Sequence, residues 1–267
     1  MRIVQMSDIH VGAGFYPELM EAAIEETNAF APDLVAIPGD LTTEGHRGEF
    51  EEAKSYLDRL ECPNMVVVPG NHDGRNVGYY HFEDFFGKRE SSLTVSVPEG
   101  EAKVVALDSS EPDLDEGQVG REHYAWLDSE FRGWDRGPKM LVIHHHLLDV
   151  PGTGRDRDVL RDAGDILAIL QELKVNMVLV GHRHVPYVLN LSNMLIVHSG
   201  TVSSKRTRGI IPPSYNQIEM SSEEIQITLR YPGKGQEMLA SGCWQPSANI
   251  QFHPELSRYV RYDRLPF

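Results

Sequence analysis

The sequence predicts an α/β protein. Two observations carry that expectation: short apolar runs alternate with amphipathic helical stripes through Val180, and runs of strand character succeed one another from Val185 onward.

Arg2 to Met6 reads as a buried strand. Pro17 to Phe30 reads as a helix, with Pro at its first position and Leu19, Ala22, Ala23, Ile24 and Phe30 mostly on one side. Leu34 to Ile37 is the second strand. Phe50, Ala53, Tyr56, Leu57 and Leu60 recur at helical spacing, and Met65 to Val68 is the third strand. Leu93 to Val97 and Ala102 to Leu107 flank Pro98-Glu99-Gly100 as a hairpin. Next come a helix over Arg121 to Phe131 and a strand over Met140 to Ile143. Val159, Ala163, Ile166, Leu167 and Leu170 form another helical stripe before the strand Met177 to Val180. Tyr187 to Leu191, Met194 to Val197, Tyr215 to Met220 and Ile225 to Arg230 complete the strands. Pro232-Gly233-Lys234-Gly235 suggests a boundary between a domain over residues 1–231 and an extension over 232–267. Trp244, Phe252, Tyr259, Tyr262 and Phe267 give that extension surface to bury, on its own domain or as the arm of a homodimer.

At 267 residues, 40% hydrophobic and 24% charged, the chain has the composition of a water-soluble globular protein and enough length for a large core. Its net charge of −15 argues against loose binding to nucleic acid, because an anionic surface repels phosphate backbones. A small phosphate ester remains compatible, since bound cations reverse the field locally. Cys62 and Cys243 make no disulfide framework, the first strand leads straight into Ser7-Asp8 without a signal peptide, and no apolar run spans a bilayer; a cytoplasmic protein is expected.

The chemistry lies at the strand ends. Successive strands end in Asp8-Ile9-His10, Gly39-Asp40, Gly70-Asn71-His72-Asp73, His144-His145-His146 and Gly181-His182-Arg183-His184. Ligands in open α/β sheets gather beyond the carboxyl ends of strands, so these groups converge. In extended backbone, residues two apart share a side, which pairs Asp8 with His10 and His182 with His184. Mixed imidazole and carboxylate donors suit Zn, Fe or Mn. The donors are too many for one ion, and Asp40 is the natural bridge between two.

These five blocks together resemble the calcineurin-like metallophosphoesterase superfamily over residues 8–184. Leu107-Asp108-Ser109, Gly117-Gln118 and Trp126-Leu127 resemble more narrowly the branch of class III cyclic nucleotide phosphodiesterases and glycerophosphodiesterases. The resemblance implies a four-layer αββα sandwich of two mixed sheets flanked by helices. It implies one transition-metal ion (Mn, Fe or Zn, divalent or trivalent) on Asp8, His10, Asp40 and His184, and a second on Asp40, Asn71, His144 and His182. It implies that His72 sits beside the substrate and assists the leaving group or steadies the phosphoryl oxygens, and that Asp73 orients His72 by hydrogen bonding. The reaction so implied is hydrolysis of small phosphodiesters, cyclic nucleotides among them, by in-line attack of a metal-bridging hydroxide. A phosphomonoesterase or nucleotide pyrophosphohydrolase comes next, then a nuclease. A non-catalytic scaffold of the same fold is the rival from another class, and it is disfavoured because every expected ligand position is filled.

Plainer readings stand beside several residues. Within His144-His145-His146 the first is taken as the ligand, His146 shares its side by alternation, and His145 reads as a packed or hydrogen-bonded histidine. His72 could be structural. Arg75 and Arg206, the latter in the basic cluster Lys205, Arg206 and Arg208, could meet a substrate phosphate or only solvent. His198 either supports the site or is a buried, hydrogen-bonded histidine. The acidic run Asp113 to Glu116 reads as a solvated loop, with a lid over the site as the sharper alternative, and His46 has no assigned role.

Overall fold

A computed structural model describes residues 1–97, 100–151, 153, 159–208, 211–243 and 251–252, the last two for their backbone. Thirteen strands and five α-helices lie among these residues. They run β1 (Arg2–Gln5), α1 (Pro17–Phe30), β2 (Leu34–Pro38), α2 (Arg47–Leu57), β3 (Met65–Val68), α3 (Gly78–Phe86), β4 (Ser91–Val97), β5 (Gly100–Ala106) and α4 (Arg121–Phe131). Then come β6 (Lys139–Val142), α5 (Ala163–Glu172), β7 (Met177–Val180), β8 (Tyr187–Leu191), β9 (Met194–His198), β10 (Tyr215–Met220), β11 (Glu224–Tyr231), β12 (Gly235–Cys243) and β13 (Gln251–Phe252).

Two mixed sheets form. One has the order β13-β12-β11-β10-β1-β2-β3, the other β4-β5-β6-β7-β9-β8. β1, β2 and β3 are parallel, as are β5, β6, β7 and β9. These parallel strands read as continuous apolar runs because both their faces are covered. Ile3, Ala36, Val68, Val104, Val142 and Leu179 fill the space between the sheets. The outer face of the first sheet packs Val4, Val35 and Ile37 against Met20 and Ile24 of α1, Phe50 and Ala53 of α2 and Phe82 of α3. The outer face of the second packs Val105, Leu141 and Val178 against Leu127 and Phe131 of α4 and Ile166 and Leu170 of α5. The result is the four-layer αββα sandwich.

α1 keeps its expected bounds, with Pro17 where its missing N–H costs nothing and Ala31 closing the helix at a left-handed φ of 49°. The stripe beginning at Val159 becomes helical only from Ala163. Residues 78–86 form a helix that the sequence pattern does not predict; it packs Phe82 against Phe50 and Phe86. The expected boundary at 231/232 falls on a hairpin turn: Tyr231 pairs with Gly235, and β12 continues the first sheet to Cys243. A Pro-Gly turn signals a hairpin as well as a linker, and the polar, small-residue β12 carries little apolar alternation. Trp244, Tyr259, Tyr262 and Phe267, and the side chain of Phe252, lie outside the described residues, as do Pro98 and Glu99 of the expected hairpin turn. Cys62 and Cys243 are free thiols. No helix among the described residues is long and apolar enough to cross a membrane.

Candidate metal centre

The carboxyl ends of β1, β2 and β3 from one sheet and of β6 and β7 from the other open at the same place. Asp8, His10, Asp40, His182 and His184 all take left-handed backbone, with φ of 55°, 52°, 53°, 70° and 54°. Non-glycine residues seldom sit there, and each carries of order 1–2 kcal/mol of strain; such strain gathers at functional sites. The flanking glycines make room as well as turns. A Cβ on Gly70 would lie 2.2 Å from Asp40 Oδ1, and one on Gly181 would lie 2.8 Å from Asp8 Oδ2.

Two groups of donor atoms result. In the first, Asp8, His10, Asp40 and His184 offer atoms all within 4.8 Å of one another. His184 Nε2 lies 3.0 Å from Asp8 Oδ1 and 3.1 Å from His10 Nε2, which is 3.5 Å from Asp40 Oδ2. In the second, Asn71 Oδ1 lies 3.1 Å from His144 Nε2 and 3.0 Å from His182 Nδ1. His144 Nε2 lies 3.5 Å from Asp40 Oδ1. The two oxygens of Asp40 thus face different groups.

The donor chemistry fits metal ions. Backbone carbonyls take the Nδ1 proton of three rings: Thr42 O from His10 at 3.2 Å, Pro38 O from His144 at 2.8 Å, and Arg206 O from His184. This fixes the tautomer that turns Nε2 inward, as outer partners of metal-bound histidines do. Burial, with the charges of neighbouring imidazoles, holds His10 and His182 far below the ordinary histidine pKa, and burial also lowers His144. These rings therefore keep the lone pairs that a cation needs. Burial opposes protonation of His184, but the adjacent Asp8 carboxylate overrides it and raises its pKa. Burial likewise pushes Asp8 up, and His184 brings it below the usual value. Asp40, buried and near Asp8, is raised to about 6.

The three consecutive histidines separate cleanly. His144 reaches the second group. His145 also lies within range of His144 and His182. Its ring nitrogens, however, face Ser109 Oγ at 2.8 Å and the Asp115 carbonyl at 3.2 Å, leaving Asn71 as the fuller partner of the group. The His146 ring stacks on His182 with centroids 5.5 Å apart.

His72 stands beside the first group, its ring centroid 4.7 Å from that of His10, its Nδ1 2.7 Å from the Thr43 carbonyl and its Nε2 3.1 Å from Arg206 Nη1. The expectation that Asp73 orients His72 is overturned. Asp73 accepts from the backbone N–H of Gly70, Leu41 and Thr42 and from Thr42 Oγ1, at 2.7–3.0 Å. It ties the Asp40 loop to the Asn71 loop, and adjacency in sequence gives no hint that the carboxylate turns away from its neighbour. Burial and the nearby Asp40 raise its pKa to about 7.

Of the residues expected near substrate, Arg206 faces the site, and no carboxylate pairs with it among the described residues. Arg75 instead pairs with Asp115 at 2.8 Å and Glu44 at 3.6 Å. His198 is fully buried with its ring 6.5 Å from that of His146. Neither of its nitrogens has a hydrogen-bond partner among the described residues, where a core position suggests one. Asp115, from the run read as a solvated loop, reaches Asn71 Nδ2 at 3.1 Å; nothing in the spacing of that run marks it. His46 is the residue preceding α2, where the Glu49 carboxylate accepts its backbone N–H.

A family model described as calcineurin-like phosphoesterase matches residues 1–186. A probable cyclic nucleotide phosphodiesterase of a Synechococcus species is 29% identical over 196 residues, 72% of this chain and 74% of its own length. A 3',5'-cyclic-nucleotide phosphodiesterase of a Nostoc species is 25% identical over 256 residues, 91% of this chain and 89% of its own. Among solved structures, a purple acid phosphatase of yellow lupin superposes with a TM-score of 0.66 at 14% identity. That match covers 90% of this chain and 53% of the lupin protein, and it speaks for the fold alone.

Proposed function

Because the chain belongs to the calcineurin-like phosphoesterase family and is a metal-dependent phosphoesterase, we propose that it hydrolyses small phosphodiesters, cyclic nucleotides among them, at a dinuclear metal centre. The observation that carries this reading is Asp40, whose Oδ2 faces the His10 group and whose Oδ1 faces the His144 group, each at 3.5 Å. Asp8, His10, Asp40 and His184 would hold one ion; Asp40, Asn71, His144 and His182 would hold the other. When bound, such a pair supplies Lewis acidity and makes water at the site easier to deprotonate.

The chain's own groups do the rest. The Arg206 guanidinium, which no carboxylate claims among the described residues, meets the phosphoryl oxygens and can grip them in bidentate fashion. In doing so it turns from His72 Nε2, which is then free to take up the proton that the attacking water releases and to hand it to the departing ester oxygen, while the Thr43 carbonyl keeps the ring oriented through Nδ1. Diesters are favoured by the names of relatives that match most of their own length. The test is a rate panel with bis(p-nitrophenyl) phosphate, p-nitrophenyl phosphate, cyclic AMP and single-stranded DNA, run on protein reconstituted separately with Mn, Fe, Zn and Mg. Faster turnover of the two small diesters supports the proposal. Preference for the monoester assigns a phosphomonoesterase, preference for DNA a nuclease, and no hydrolysis under any metal a scaffold.

A further inference from the structure

Asp115 lies outside every block of candidate ligands, on the loop between β5 and α4 of the second sheet. Its Oδ1 nonetheless accepts from Asn71 Nδ2 at 3.1 Å, across the site on a loop of the first sheet. The same oxygen accepts from Arg75 Nη2 at 2.8 Å. The Asp115 backbone carbonyl accepts from His145 Nε2, and His145 Nδ1 in turn meets Ser109 Oγ, so the loop is pinned beneath the histidine run.

An asparagine amide has two ends of equal size and opposite polarity, and its neighbours decide which way it points. A carboxylate only accepts. Placed beside Asn71, it selects the orientation in which the NH2 group faces outward and Oδ1 faces His144 and His182. Arg75 anchors the same carboxylate oxygen.

We propose that Asp115 is a positioning residue for the second donor group, holding the Asn71 amide with its oxygen inward while Arg75 holds Asp115, and that the first group does not depend on it. This rests on the dinuclear reading above. Asp8, His10 and His184 have their own partners, and none is Asp115. The side chain of Asp115 is 63% exposed, so its replacement leaves the core alone.

The experiment is calorimetric titration of the chelator-stripped full chain with Mn2+, comparing wild type with Asp115→Ala, Asp115→Asn and Arg75→Gln. Losing an outer partner of a ligand typically costs about 10–100-fold in metal affinity. Asp115→Ala should show that loss at one of two sites and wild-type affinity at the other. Asp115→Asn, which keeps an acceptor oxygen, should recover part of the loss, and Arg75→Gln should give a smaller loss at the same site. Thermal unfolding of the metal-free variants should match wild type, which separates positioning from misfolding. Two sites of unchanged affinity in Asp115→Ala, or equal losses at both, overturn the proposal. A wild-type chain that takes up only one ion overturns the dinuclear reading, and this inference with it.

Discussion

Replacing His198 by leucine should change how the metal-free protein responds to acid, by an amount the structure sets. His198 ends β9 with no exposed surface and no hydrogen-bond partner among the described residues. Burial, then the charges of His146 and Arg183, bring its pKa from 6.5 to about 3. In the unfolded chain the ring titrates at about 6.5. The folded value is depressed, so the neutral ring's contribution is complete above the unfolded pKa and is lost as pH falls toward 3, where the unfolded chain has taken up a proton that the fold refuses. The loss is about 2 kcal/mol at pH 5 and passes about 4 kcal/mol by pH 3. Leucine has no proton to gain and removes two buried nitrogens that have no partner among the described residues. Between pH 8 and pH 5, His198→Leu should therefore gain about 2 kcal/mol on wild type, or about 4–8 °C in melting temperature for a chain of this size. Melting curves in the presence of a chelator measure it. Stabilities of wild type and variant that fall in parallel with pH refute the reasoning.

Asp40→Asn removes the charge that both donor groups share, so Mn2+ titration should show both sites weakened beyond the about 10–100-fold typical of an outer partner; one site left intact contradicts the bridging role. His72→Ala should keep both ions and lower kcat by about 10²–10⁴, most for esters with poor leaving groups, and an emptied site in that variant means that His72 is a ligand. Arg206→Gln keeps the backbone carbonyl that accepts from His184, so ion uptake should hold while KM for bis(p-nitrophenyl) phosphate rises about 10–100-fold, as loss of a charged hydrogen bond worth about 1.5–3 kcal/mol implies. An unchanged KM places Arg206 outside the substrate's reach.

The parallel strands are legible because each is a short apolar run cut off by Gly, Asp or His, and that cut is also where the donors sit. Since Asp8, Asp40, Asn71, His144 and His182 each come just after a strand, topology alone makes them converge. α3 escapes the sequence pattern because Gly78 opens it, and its aromatic residues read equally as strand or helix. Asp115 and the partners of Asp73 are illegible for another reason. Their contacts join loops of unrelated sequence position, and spacing along the chain carries no record of how loops return. His198 misleads in the same way, since burial can be guessed from a strand end but the lack of a partner among the described residues cannot.

Asp8, His10, Asp40 and Asn71 hang from one sheet, His144, His182 and His184 from the other. Ions held there, as proposed, would rivet the two leaves of the sandwich along one rim, opposite in kind to the oily seam of Ala36, Val68, Val142 and Leu179 that joins them inside. Binding and leaf spacing would then be one equilibrium written twice: loading would resist prying the leaves apart, and a methyl group trimmed from the seam would loosen the rivets without touching them.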